Sequence, residues 1–201
     1  MIKRRLLKIG LFSSQRGVSI PPLPSSTVVF NSEPIASNTG YSAMTSVSGT
    51  GVIALGSTGT DQKIAQTEPE ILTSGVSSKR VVEFEYTASE FAGKNTATNF
   101  FYVGNPVEGE YERISPASTA LQAGSVVGLV CDFSTGDIQV YVDGVLDSTV
   151  NSYAIETNSE QHIGFTTNGT CSVTCVADGG SMNYLGNYGP NLEDWEGNTL
   201  T

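Results

Sequence analysis

Positive charge is scarce in this chain beyond its first sixteen residues. Lys3, Arg4, Arg5, Lys8 and Arg16 are five of its ten bases, and residues 1–16 hold no acid. Everything after Arg16 carries five bases against twenty acids, a balance of −15. Such a body repels nucleic acid. Long apolar runs are also lacking. Nothing approaches the roughly 20 residues of a membrane span. The run Ile9–Phe12 is shorter than the apolar stretch of a secretory signal, about 7–15 residues. Histidine occurs once, as His162, and zinc needs a further ligand cluster. His162 with Ser159 or Ser172 makes no recognisable catalytic spacing. No GxxxxGK[ST] or GxGxxG motif opens a helix, which disfavours nucleotide binding. No window after Ile20 keeps a helical apolar period.

Cysteine is present three times, as Cys131, Cys171 and Cys175. Cys171 and Cys175 stand four apart in one apparent strand, which puts their Cα atoms about 13 Å apart. A disulfide needs less than about 7 Å. Free buried thiols in a reducing compartment are therefore expected.

What the chain does have is turn residues and short β-forming runs. Val126–Phe133 and Ile138–Val142 are rich in Val, Ile, Phe and Tyr, residues that fit a pleated, half-buried surface. Ser134-Thr135-Gly136-Asp137 separates them, and Asp143-Gly144 ends the second run in a strong hairpin signal. Alternation puts Val127, Leu129, Cys131 and Phe133 on one face, and Val126, Gly128, Val130 and Asp132 on the other. Further strands are expected at 51–55, 81–87, 99–104, 161–166 and 171–176. Thr27–Phe30 reads as a first strand or as part of an extended arm. Val82, Phe84, Leu129, Cys131, Phe133, Val140 and Val173 form the expected core.

The stretch Gly124–Asp132 followed by Val140–Val145 resembles the SPRY domain and its relatives, the concanavalin A-like jelly-roll sandwiches. Lys79–Tyr86 looks like that family's "hydrophobic-E-hydrophobic" strand. His162–Phe165 and Cys171–Cys175 look like its closing strands. The resemblance covers roughly 45–180. The tryptophan that often sits beside the first of these strands is absent. The resemblance implies a single antiparallel β-sandwich and points to binding rather than catalysis.

Three parts follow. Residues 1–24 form a basic arm ending in the stiff connector Pro21-Pro22-Leu23-Pro24. Residues 25–180 form the sandwich, with its core at about 45–180. Residues 181–201 form an acidic, aromatic tail with no strand or helix period. Tyr184, Tyr188 and Trp195 in that tail are expected to dock onto this domain or a neighbouring chain. In the arm, Lys3, Arg4, Arg5, Leu6, Leu7, Lys8, Phe12 and Arg16 are expected to bind a partner. The arm has too little apolar surface to fold alone and is expected to order only on that partner.

Glu83 and Glu85 share a strand face with Cα atoms about 6.6 Å apart, within range of a retaining glycosidase pair. Glycosidases of related folds usually carry an Asp between such glutamates, and Phe84 stands there instead. A solvated strand face is the plainer reading. Asp132, Asp137, Asp143 and Asp147 cluster around the hairpin but match no EF-hand spacing. No cofactor or metal is expected. For a ligand, the loops carrying Asn105–Tyr111, Asn151–Asn158 and Asn168-Gly169 supply aromatic and amide groups. Asn105, Tyr111, Tyr153 and Asn168 are the candidate residues.

A short basic arm, an acidic β domain, no disulfides and an aromatic tail together look like accessory proteins of a bacteriophage virion. The expected function is non-enzymatic: a capsid or tail decoration protein, made in the host cytoplasm. Its arm would tether it to other virion proteins, and its sandwich would meet a host-surface glycan or further copies of the chain. The alternatives are a free-standing carbohydrate- or peptide-binding module, and a glycoside hydrolase using Glu83 and Glu85.

Overall fold

A computed structural model describes residues 25–31, 42–57, 63–68, 71–72, 78–89, 100–105, 110–114, 121, 123–152, 160–167 and 170–200. They build two sheets. The first runs in the order β1 (Val29–Asn31), β5 (Lys63–Glu68), β13 (Glu160–Thr167), β8 (Phe100–Asn105), β9 (Glu110–Ile114). Two short strands join it, β2 (Ser42–Ala43) beside β5 and β6 (Ile71–Leu72) beside β13.

The second sheet runs β12 (Val145–Asn151), β11 (Asp137–Val142), β10 (Val126–Asp132), β7 (Lys79–Ser89), β14 (Cys171–Val176), β4 (Val52–Ser57), β3 (Ser46–Thr50). The short strand β15 (Leu192–Glu193) adds to β7. Only β2 and β15 pair in parallel among the described residues. The fold is an all-β, predominantly antiparallel sandwich.

Alternation carries the core. Along β10, Val127, Leu129 and Cys131 point inward with Phe133 just beyond, as the sequence predicts. Val82, Phe84, Val140 and Val173 join them in the same cluster. Phe101 and Phe165 arrive from the opposite sheet. The rings of Phe84 and Phe101 lie 4.7 Å apart, and Tyr86 meets Phe165 edge-on at 6.3 Å. Such aromatic pairs contribute beyond their burial.

The hairpin at Asp143-Gly144 forms as expected and joins β11 to β12. Both turn residues have positive φ, 49° and 76°, which a two-residue turn of this hand demands. The Asp143 carboxylate accepts from the Val126 amide at 2.8 Å, tying the turn to the start of β10. At the β10–β11 turn, the Asp132 carboxylate accepts from the Ser134 amide at 3.0 Å.

One feature of β10 departs from a sheet with one wet face. Its strand is buried on both sides up to Cys131. Val130 belongs to a second apolar cluster with Val81, Tyr141, Tyr188, Leu192 and Leu200. The tail after Ser181 lies across the outer face of this sheet and covers it.

Candidate binding surfaces

Glu83 sits in the middle of β7 and is wholly buried. This corrects the expectation of a solvated strand face shared with Glu85, which is half-buried. The reason is the tail. Its Asn183 and Tyr184 amides donate to the Glu83 carboxylate at 2.7 and 2.8 Å, and the Tyr188 hydroxyl donates at 2.7 Å. Three donors, two of them backbone, offset the cost of burying a carboxylate. Burial first, and then the hydrogen bond to Glu83, push the Tyr188 hydroxyl pKa far above its ordinary value.

Two glycines make room for the tail. Tyr188 lies over Gly128, and Tyr184 lies over Gly144. The ring of Tyr188 also meets Tyr141 edge-on at 4.9 Å. Further along, β15 takes the side of β7 at Lys79 and Arg80, beyond the end of the β7–β14 ladder at Glu83. Trp195 then enters the main core and packs on Phe133 at 6.1 Å. The tail's aromatics thus dock on this domain. Tyr188 and Trp195 are 3% and 2% exposed, leaving little of either for another chain, while Tyr184 stays half-buried.

The turn that holds Trp195 is built on the buried Asp194. Its carboxylate accepts from the amides of Glu196 and Asn198 at 2.9 and 2.8 Å. Arg80 pairs with Glu193 at 3.1 Å and donates to the Asp194 carbonyl. Glu196 turns the other way and accepts from the backbone and hydroxyl of Thr27. The chain just after the arm is thereby clamped to the tail.

A different surface forms on the outer face of the first sheet. The Tyr102 hydroxyl donates to Gln66 at 3.0 Å, and its ring crosses Gly164 on β13. Tyr111 on β9 is half-buried and meets the Tyr102 ring at 5.7 Å. The Arg113 guanidinium lies 5.9 Å from the Tyr111 ring and donates to its hydroxyl at 3.4 Å. The result is a supported aromatic platform with a cation beside it.

Of the four candidate ligand residues, the structure describes Asn105 and Tyr111. Asn105 ends β8 and is buried. It alternates with the core residues Phe101 and Val103, so it faces inward while Tyr111 faces outward. The two are near in the ladder but on opposite faces, and do not form one site. Tyr153 and Asn168 lie outside the described residues, as do all the arm residues from Lys3 to Arg16.

His162 is buried, and its Nδ1 donates to the Thr67 carbonyl at 2.9 Å, a structural role. Cys131 and Cys175 are buried free thiols, both pushed up in pKa by burial. Asp132, Asp137 and Asp143 are committed locally: they accept from the Ser134 amide, the Asn151 side chain and the Val126 amide. No group of three metal-ligating side chains forms among the described residues.

No family model matches the sequence, and no curated protein matches it. In shape the chain is similar to the SPRY domain of human HERC1, at 10% identity over 61% of this chain and 87% of that one, with a TM-score of 0.42. It is similar to the NEUZ (NHR) domain of Neuralized from Drosophila melanogaster, at 12% identity over 75% and 91%, with a TM-score of 0.43. It is also similar to the Emp46p carbohydrate recognition domain, at 10% identity over 74% and 87%, with a TM-score of 0.38. Likenesses this distant carry no statement of ligand or activity.

Proposed function

We propose that this chain is a non-enzymatic binding sandwich displayed on a virion, as a capsid or tail accessory protein. Residues 1–24 tether it, and the outer face of the first sheet meets a host-surface glycan. The observation that carries the binding reading is Tyr111: a half-buried ring held by a buried tyrosine, with a guanidinium beside it. Rigid aromatics stack on sugar rings at little entropic cost, and a nearby fork of donors fixes orientation. The SPRY-like hairpin supports binding over catalysis.

The glycosidase alternative needs Glu83 and Glu85 to act as an open pair. Glu83 is closed under the tail and already accepts three hydrogen bonds, so a substrate has no route to it while the tail is docked.

Glycan-array binding by the chain and by Tyr111→Ala tests the ligand surface. The variant should bind about tenfold more weakly, a loss of roughly 1.4 kcal/mol. Equal binding by both would sink the Tyr111 surface. Tethering is read by co-sedimentation with particles, which reversal of the arm's charge should abolish. A peptide ligand is the second reading, and binding to a peptide library with none to glycans would select it.

A further inference from the structure

We propose that the partner of the arm is a second copy of this chain: residues 1–16 of one copy dock along β12 of the next. The inference rests on the tether reading above and names the tether's partner.

Strand β12 is the outermost of the second sheet and pairs with β11 alone among the described residues. No described strand pairs with its other side, whose amides and carbonyls are a template for an added strand. Val145 and Leu146 begin it and are 69% and 51% exposed, the highest of the large hydrophobics among the described residues. Leu146 is in register with Tyr141, beside the cluster holding Tyr184 and Leu185. Exposed apolar surface continuous with a packed cluster marks an interaction site.

Charge selects the occupant. Residues 114–201 contain ten acids and no Lys or Arg. Asp143 and Asp147 flank the exposed pair. The arm carries five bases and no acid. Complementary fields of this kind steer association and reject like-charged partners.

The same logic disfavours two β12 strands pairing with each other. The ladder skips Asp147 between Val140 and Tyr141, leaving a bulge in β12 with an acidic residue at it. Bulges and edge charges block pairing of like strands. The arm, which holds no acid, adds no like charge beside Asp147. Ile2, Leu6, Leu7, Ile9, Leu11 and Phe12 supply apolar contacts for Val145 and Leu146. No proline interrupts the segment before Pro21, so its amides can join a ladder.

A second copy is favoured over the chain's own arm. The Glu196 clamp on Thr27 fixes where the arm leaves. Three prolines within residues 21–24 make a stiff connector between that clamp and the basic segment, which disfavours return to the same copy's edge.

Sedimentation velocity on the full chain tests this with two variants. Leu146→Asp spoils the edge and leaves the arm. Lys3→Glu with Arg4→Glu, Arg5→Glu and Lys8→Glu spoils the arm and leaves the edge. The wild type should self-associate with rising concentration, less so at high salt. Each variant alone should be monomeric, with a melting temperature near wild type. An equimolar mixture should regain a dimer, because one supplies the arm and the other the edge. A monomeric wild type overturns the inference, and so does a mixture that stays monomeric. A monomeric wild type whose arm variant still fails to enter particles leaves the tether standing and removes only the second copy as its partner. Glycan binding through Tyr111 is read separately and is expected to be unchanged in both variants.

Discussion

Gly128 lies directly beneath the hydroxyl of Tyr188. A methyl group on Gly128 would run into that oxygen and stand 2.6 Å from the ring carbon bearing it. The middle of β10 therefore has no side chain because a residue sixty positions later takes the space.

Gly128→Ala should push Tyr188 off Glu83 and loosen the tail while leaving the main core intact. Overpacking of this kind costs roughly 1–3 kcal/mol. Hydrogen exchange should show faster exchange at the Asn183 and Tyr184 amides, with the amides of β13 and β8 unchanged. Unaltered protection at 183 and 184 would mean the contact yields without releasing the tail.

Tyr188→Phe removes one donor from a buried carboxylate and keeps the ring on Tyr141. Hydrogen bonds to charged groups contribute about 1.5–3 kcal/mol, so unfolding in urea should lose about that much. Glu83→Ala should cost more, because it strands two amides and a hydroxyl. A smaller loss in the alanine variant would show that water already reaches the socket.

Much of this arrangement was legible in the sequence, and the exceptions have physical causes. Strands β7, β10, β11, β13 and β14 read directly, because buried β-branched and aromatic residues alternate along them. Strands β3 and β5 were not, since Ser46–Thr50 and Lys63–Glu68 lie toward the sheet edges and carry few large apolar residues. Strand β12 hides behind its bulge, which breaks the alternation at Asp147. The tail has no period because its order comes residue by residue, from Glu83, Gly128, Gly144 and Phe133. One signal of the cover was present. Val126, Gly128 and Val130 make the second face of β10 apolar, which a wet face would not require. Glu83 reads as solvated in sequence because its donors lie one hundred residues or more away.

Trp195 is the chain's one tryptophan and packs in the main core. Trp195→Ala should destabilise by about 3–5 kcal/mol. Its indole N–H is buried with no hydrogen-bond partner among the described residues, so Trp195→Phe should cost clearly less than alanine. The phenylalanine fills most of the space and removes a donor that is costly to leave unmade. Denaturant unfolding by circular dichroism compares the two. Equal losses would show that ring size, not the orphaned donor, decides the site.

The clamp between Glu196 and Thr27 should give an acid limb to stability. Burial alone would raise the Glu196 carboxyl, but hydrogen bonds from Thr27 and Ser26 outweigh it and hold the pKa below its ordinary value. A depressed folded pKa means the unfolded chain binds the proton more readily. The contribution is therefore full above the unfolded value, about 4.3, and is lost as pH falls through the folded one. Glu196 is only half-buried, so solvent screens it and the effect is small and best seen as a difference. Glu196→Gln keeps an acceptor for the Thr27 amide and removes the charge. Melting temperatures of the two proteins should differ at pH 7, and the gap should close as pH falls below about 4. Other carboxylates titrate in both and cancel. A gap that stays constant down to strongly acid pH would mean that the hydrogen bonds, and not the charge, hold Thr27 at the root of the arm.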